Sequence, residues 1–254
     1  NRFGSDPANE MVFPSNAPAL AGSLLLAGGK VTLRAEPTSG ITDGDGKPLT
    51  TRVLASNAEE EPTLVKLGTL SFFVIQRSDK LGVRLKDSQS AVRTGFQGIE
   101  SFPIASQWRV EARLVPHLPA KKIPIPTILG TIEDSPSPGS LVFTVDGHEV
   151  RLDPILEEGS DDLFVIFGDQ TNGHETYGAG RFVYAKPAGA DGKTVLDFNQ
   201  SYNPPCVFTP YATCPLPPPQ NKLQFRIEAG EKMYGAQHVL GGPGAAPAAA
   251  ATQG

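Results

Sequence analysis

Four polar side chains in the second half of the chain have the types and spacing to bind a small polar molecule together. They lie on three runs of alternating residues, RFVYA, VLDFN and LQFRIEA. Because successive side chains of a strand point to opposite faces, Arg181, Asp197, Asn199 and Glu228 fall on the polar faces of these runs. Asparagine and tyrosine residues next to these runs add amides and a ring. We therefore predict a pocket for a small polar, saccharide-like ligand, lined by Arg181, Asp197, Asn199, Tyr202, Asn203 and Glu228.

Two of these residues also suggest catalysis. Asp197 and Glu228 can serve as the acid and the base of a hydrolase, with Arg181 stabilising negative charge. Glycoside hydrolysis needs two carboxylates roughly 5 to 9.5 Å apart, and the sequence does not give that distance. In the alternative, each carboxylate binds Arg181, Arg226 or a turn amide on a solvated face with scattered ion pairs. Both interpretations stay open, and no catalytic residue is assigned.

Both cysteines, Cys206 and Cys214, lie in a proline-rich loop. Each proline fixes φ, so the loop has few conformations and holds the two thiols near each other. We predict a disulfide with Cα atoms no more than about 7 Å apart; buried free thiols are the alternative. A disulfide is typical of secreted or periplasmic proteins, whereas free thiols leave a cytoplasmic location open. No CxxC or paired-histidine spacing is present, so no metal site is predicted.

Composition and motifs exclude several classes of function. The formal net charge is −5 and no block of five basic residues occurs, which argues against a nucleic-acid partner. No apolar run approaches the roughly 18 residues of a membrane-spanning helix. Neither a P-loop nor a GxGxxG motif occurs, so no cofactor is predicted. The partners that fit are a small polar ligand and another protein.

Strand signals dominate the chain. Gly28-Gly29 and Asp146-Gly147 each separate two strand-like runs and predict two-residue hairpin turns, because these turns need positive φ angles. Another hairpin is predicted over residues 70–87, and one more from RFVYA and KTVLDFN, joined through Asp191-Gly192. KLQFRIEA, residues 222–229, predicts a strand alongside that last hairpin.

These signals together predict an all-β fold, either an antiparallel barrel or a two-sheet sandwich of short strands. A chain of 254 residues can form one domain of this class, which we place at residues 1–234. Residues 1–20 are rich in proline and asparagine and predict an extended N-terminal arm. Residues 235–254 have too little apolar side chain to offset chain entropy, which predicts a disordered tail rich in glycine, alanine and proline.

Several specific motifs are spread along the chain, namely FGSDPAN, TYGAGRF, LDFNQSYNPPC, CPLPP and IEAGE. Their combination resembles the bacterial family called domain of unknown function 1684. The resemblance implies a mostly β fold and assigns no activity, which leaves a structural or accessory subunit as a third functional hypothesis. Family members usually have a preceding helical segment rich in tryptophan and leucine. We therefore expect that Asn1 follows a segment lost by truncation or processing.

Overall fold

The computed structural model of the protein describes residues 1–59, 61–77 and 80–235. They form two compact units, Asn1–Phe96 and the part that begins at Gln97. Both units are built from strands and turns, and the predicted all-β class is confirmed. The single domain over residues 1–234 stays a prediction. The tail predicted for residues 235–254 lies outside the described residues, except for Gly235.

Unit 1, Asn1–Phe96, has nine strands among its described residues, followed by one short helix, α1 (Ala91–Thr94). The strands are β1 (Arg2–Gly4), β2 (Met11–Val12), β3 (Gly22–Ala27), β4 (Lys30–Ala35), β5 (Thr42–Asp43), β6 (Thr51–Leu54), β7 (Val65–Leu67), β8 (Leu70–Arg77) and β9 (Lys80–Asp87). One sheet has the order β2-β1-β3-β4-β6 and the other β5-β7-β8-β9. Strand β1 runs parallel to β2, and the remaining neighbours are antiparallel.

The core of unit 1 is centred on three phenylalanine rings. Phe3 and Phe72 are fully buried, Phe13 is nearly so, and their ring centroids lie 5.0 to 5.6 Å apart. Such tilted and edge-on contacts are favourable beyond the area that the rings bury. The segment predicted as an extended N-terminal arm thus contributes two strands and two core rings to the unit.

Unit 2 has seven strands among its described residues, in two sheets. The strands are β10 (Arg109–Pro126), β11 (Ile132–Val145), β12 (His148–Leu152), β13 (Ile155–Leu156), β14 (Leu163–Phe167), β15 (Arg181–Ala185) and β16 (Lys193–Asp197). The sheet orders are β12-β11-β10-β16 and β13-β14-β15. Short 3₁₀ helices lie at Ser106–Trp108, Phe198–Gln200, Pro205–Val207 and Pro219–Asn221. Among the described residues of both units, no helix is long and apolar enough to cross a membrane.

The three hairpins predicted from adjacent runs are confirmed. Asp146 and Gly147 have φ angles of 50° and 78° and join β11 to β12, with Val145 opposite His148. Gly28-Gly29, also at positive φ, joins β3 to β4. Strands β8 and β9 pair along their whole length, although two residues of their turn lie outside the described part of the chain.

The long hairpin of β10 and β11 contributes to two hydrophobic clusters. Its register shifts between Pro116 and Lys121. Residues of β10 before this bulge pack in the main core with one face of β14, whereas Ile123 and Ile125 after it pack with the other face. Since a bulge bends and twists a strand, one hairpin covers both sides of the β13-β14-β15 sheet. That coverage explains why every residue of β14 is buried.

The hairpin predicted through Asp191-Gly192 is wrong. Strand β15 pairs with β14, and β16 pairs with β10, so the two strands belong to different sheets. The turn itself forms, because Gly189 donates to the carbonyl of Lys193 and Asp191 accepts from the Lys193 amide. However, the loop closes on itself before β16 begins, and the chain crosses from one sheet to the other.

The strand predicted over residues 222–229 is also wrong. Its apolar residues do reach the main core, as the alternation indicates. Its backbone, however, has only isolated partners: Leu223 donates to the Gly168 carbonyl at 2.7 Å, and Gln170 donates to the Phe225 carbonyl at 3.1 Å. Other backbone groups of the segment are bound by side chains instead of a neighbouring strand.

Candidate functional site

Arg181 is completely buried, and its ionic partner is Asp169. The guanidinium Nη2 donates to Asp169 Oδ2 at 2.8 Å, and neither side chain has exposed area. Alternation along β15 turns Arg181 into the main core, whereas Asp197 lies at the end of β16, where it accepts from other groups. Burial lowers the pKa of Arg181, and the Asp169 carboxylate opposes this effect. Arg181 therefore pairs with Asp169, a residue that the sequence did not single out, and Asp197 has other partners.

Arg181 and Asp169 form hydrogen bonds with the backbone of residues 227–229, in the segment that follows the proline-rich loop. Arg181 also donates to the carbonyl oxygens of Ile227, at 2.8 Å, and Ala229. Asp169 Oδ1 accepts from the Ile227 amide at 3.2 Å and from the Thr171 hydroxyl at 2.6 Å. Buried backbone groups need such partners, and this pair supplies them in place of a strand. Arg181 is thus a structural residue without access to a ligand.

Asn199 and Asn203 have comparable structural roles. The Asn199 side chain accepts from the amide of Ala105 and donates to its carbonyl, both at 3.0 Å, as a paired strand would. Asn203 Nδ2 donates to Glu231 Oε2 at 3.0 Å and to the carbonyl of Lys232 at 2.8 Å. The polar residues of LDFNQSYNPPC therefore position chain segments that lack regular strand pairing.

The two predicted carboxylates have separate local partners. Asp197 Oδ1 accepts from the backbone and side-chain nitrogens of Asn199, and Oδ2 accepts from Gln200 at 3.3 Å. Glu228 is paired with Arg226 at 2.9 Å, and 54% of its side chain is exposed. Both contacts match the alternative in which each carboxylate is held by a turn amide or an arginine.

Tyr202 belongs to a row of aromatic rings. Its ring stacks on Tyr184, with centroids 6.2 Å apart and an interplanar angle of 12°, and Tyr184 stacks on Phe164 at 4.8 Å. The Tyr184 hydroxyl donates to Glu157 Oε2 at 2.5 Å. Burial and this hydrogen bond raise the pKa of Tyr184, so its hydroxyl stays protonated. The ring is fixed in place, yet 39% of the residue is exposed.

A surface groove of about 370 Å³ lies against Tyr184, and we call it the tyrosine groove. Two cations, two carboxylates, an amide and a ring line it together with two small apolar residues. The lining residues are Arg109, Asp162, Tyr184, Ala185, Lys186, Val195, Asp197 and Gln200. Of the six predicted ligand residues, Asp197 lines the groove and Tyr202 stacks on its aromatic ring, while the other four do not line it.

Tyr184 and Arg109 line the groove although the sequence did not predict them as site residues. Tyr184 shares one face of β15 with the core residue Phe182, so the strand pattern suggested an apolar position. Arg109 lies opposite Asp197 in the β10–β16 pair. That register joins residues far apart in sequence, and no local pattern reveals it. Among the described residues, no group of three or more histidine, cysteine or acidic side chains is arranged to hold a metal ion.

A second polar cluster surrounds Asp153 at the bulge of β10. Ser140 donates to Asp153 Oδ1 at 2.5 Å, and Lys121 Nζ lies 3.5 Å from Oδ2. His117 Nε2 is 3.9 Å from Oδ1 and has no hydrogen-bond partner in the described part of the chain. Burial, together with the charge of Lys121, lowers the pKa of His117 and favours its neutral form. Asp153 and His117 are largely closed to solvent, whereas the Lys121 side chain is 48% exposed, and the cluster links the bulge to β11.

The predicted disulfide between Cys206 and Cys214 is confirmed, with Cα atoms 6.2 Å apart. Both cysteines are buried and pack with Val207 and Tyr177. The amide of Cys206 also donates to Cys214 Sγ at 3.2 Å. The bond therefore closes the proline-rich loop around a small apolar cluster of its own.

Reducing this disulfide is expected to lower the free energy of unfolding by about 2 to 3 kcal/mol, because a short closed loop loses its constraint in the unfolded state. Urea unfolding with and without reductant measures the difference, with the Cys206→Ala, Cys214→Ala double variant as control. The variant's stability should not respond to reductant. Two reactive thiols in the unreduced, unfolded protein would contradict the bond.

Unit 2 is thus an all-β structure whose irregular segments are held by buried polar side chains and a disulfide. The chain belongs to the family described as "Protein of unknown function (DUF1684)", whose model matches residues 94–232. A similar solved structure is the solution NMR structure of an uncharacterized protein from Haloarcula marismortui. It is 31% identical, with 55% of this chain and 78% of that chain covered and a TM-score of 0.46. A comparison with curated proteins gives no match.

Proposed function

We propose that this protein binds a small, hydroxyl-rich ligand of saccharide type in the tyrosine groove. The proposal is supported above all by Tyr184, which lines the groove among polar side chains, is 39% exposed and is held by its stacking neighbours. The groove volume of about 370 Å³ falls in the range of small-molecule sites, roughly 300 to 1,000 Å³.

A sugar ring has apolar C–H faces and a polar edge, and the groove offers matching surfaces. The flat ring of Tyr184 provides apolar area at little entropic cost, because its hydroxyl is already bound to Glu157. Gln200 and Lys186 line the groove and supply hydrogen-bond donors. Asp197 is oriented by Asn199 before any ligand arrives.

The geometry gives less support to the hydrolase alternative. Its charge-stabilising residue, Arg181, is buried against Asp169, and its second carboxylate, Glu228, is paired with Arg226. A binding function needs no such catalytic pair. The hypothesis of a structural or accessory subunit stays a prediction.

We also propose that the protein works in an oxidising compartment, as a secreted or periplasmic protein. The Cys206–Cys214 disulfide supports this location, because stable disulfides are rare in proteins of the reducing cytosol.

Replacing Tyr184 with alanine is expected to weaken saccharide binding about tenfold, since the stacking face is lost. Saturation-transfer NMR and titration with maltotriose, cellotriose and trigalacturonate provide the measurement. Tyr184→Phe keeps the ring but loses the hydrogen bond to Glu157, so it should bind more tightly than Tyr184→Ala and more weakly than the wild type. Tyr211→Ala removes a tyrosine that is 84% exposed outside the groove and serves as the matched control. Absence of binding by all three sugars would contradict the proposal.

A further inference from the structure

The charges that line the tyrosine groove are not equally satisfied. Lys186 Nζ is paired with Asp162 at 2.8 Å. The carboxylate of Asp197 accepts hydrogen bonds from Asn199 and Gln200. The charged groups of Lys186, Asp162 and Asp197 therefore already have partners within the protein.

Arg109 is different. Its side chain has no hydrogen-bond or ion-pair partner among residues 1–59, 61–77 and 80–235, and it is exposed on the first residue of β10. Directly across the strand pair lies Asp197, so the two side chains share one face of the sheet. Of the two cations that line the groove, the guanidinium of Arg109 is therefore the one that is available to bind a ligand.

We propose that the ligand of the tyrosine groove is an acidic saccharide, whose carboxylate binds Arg109 while its ring stacks on Tyr184. This inference rests on the proposed function and adds the chemical class of the ligand. The planar guanidinium matches a carboxylate through two parallel hydrogen bonds. A carboxylate fits the groove better than a phosphate group, because the nearby Asp162 and Asp197 would repel a second negative charge.

The test compares two probes that differ in one charge per ring. Trigalacturonate and its methyl ester share the same rings and hydroxyl groups, but the ester has no carboxylates. Isothermal titration should show about tenfold tighter binding of the acid by the wild type. The preference should shrink as salt concentration rises, because Arg109 is exposed and its attraction is screened.

Arg109→Gln should remove the preference for the acid, so that the acid and the ester bind this variant with equal affinity. The control is Arg113→Gln, which alters an exposed arginine of the same strand that lines a different groove. This control should keep the preference. Tyr184→Ala should weaken binding of both probes.

The outcomes separate this inference from the proposed function. Equal binding of acid and ester, with no effect of Arg109→Gln, would overturn the acidic ligand while the saccharide site stands. A preference for the acid that survives in Arg109→Gln would also overturn the role of Arg109. Absence of binding by either probe, together with absence of maltotriose and cellotriose binding, would overturn both.

Discussion

Replacing Asp169 with asparagine is expected to lower the free energy of unfolding by roughly 3 to 5 kcal/mol. The change keeps the size of the side chain but leaves the guanidinium of Arg181 charged, buried and without a counter-ion. An uncompensated buried charge is among the costliest defects in a protein core. Here the cost extends to the segment that contains Ile227, because Asp169 and Arg181 both bind its backbone.

Urea unfolding followed by tryptophan fluorescence gives the measurement, since Trp108 is the chain's single tryptophan and packs in the core of unit 2. The matched control is Glu175→Gln, which makes the same acid-to-amide change in an exposed ion pair. Glu175 pairs with Arg226, and its side chain is 41% exposed. Exposed pairs contribute little, so this variant should unfold at nearly the wild-type urea concentration. Equal stability of Asp169→Asn and the wild type would show that the buried pair does not hold the fold.

The parts of the fold that depend on neighbouring residues are predictable from the sequence. The Asp146-Gly147 turn forms as expected because the turn chemistry and both strands lie within a few residues of each other. The Cys206–Cys214 bond is similar, since prolines limit the loop between them. In both cases the information is local.

Pairings between distant segments are not predictable in this way. Strand β16 has an adequate local partner in β15, yet it pairs with β10, which lies about eighty residues earlier in the chain. Residues 222–229 alternate like a strand because one face meets the core, but side chains bind their backbone. The alternation of apolar and polar residues indicates which side chains are buried, but it does not indicate which groups form hydrogen bonds with the backbone.

The same limit explains the candidate site. Polar residues in the family motifs suggested a ligand pocket. Strand alternation shows which face of a strand a polar residue lies on, but it does not show whether that residue is exposed to solvent or buried against a partner. Arg181 and Asn203 are of the buried kind. The groove residue Arg109 lies on a different strand and outside the family motifs, and only the three-dimensional register places it beside Asp197.

Replacing Gly230 with alanine is expected to cost roughly 3 to 4 kcal/mol of stability, because two penalties add. Gly230 has a φ of +72°, a conformation that residues with a Cβ rarely adopt. A Cβ at this position would also overlap the carbonyl oxygen of Ser201 and lie 2.9 Å from that of Phe198. Both contacts are with backbone of the LDFNQSYNPPC segment, which explains why IEAGE requires a glycine at this point.

Gly192→Ala isolates the first penalty. Gly192 has nearly the same φ, +76°, but in the described part of the chain nothing beyond its own neighbours lies within 4 Å of the point that a Cβ would occupy. This variant should lose only about 1 to 2 kcal/mol. Urea unfolding gives the loss in the free energy of unfolding for each variant. The difference between the two losses measures how closely the segment at Gly230 approaches the loop at Ser201. If the two variants lose equal stability, that contact is not tight, and the segment fastened by Arg181 has room to move away from the core.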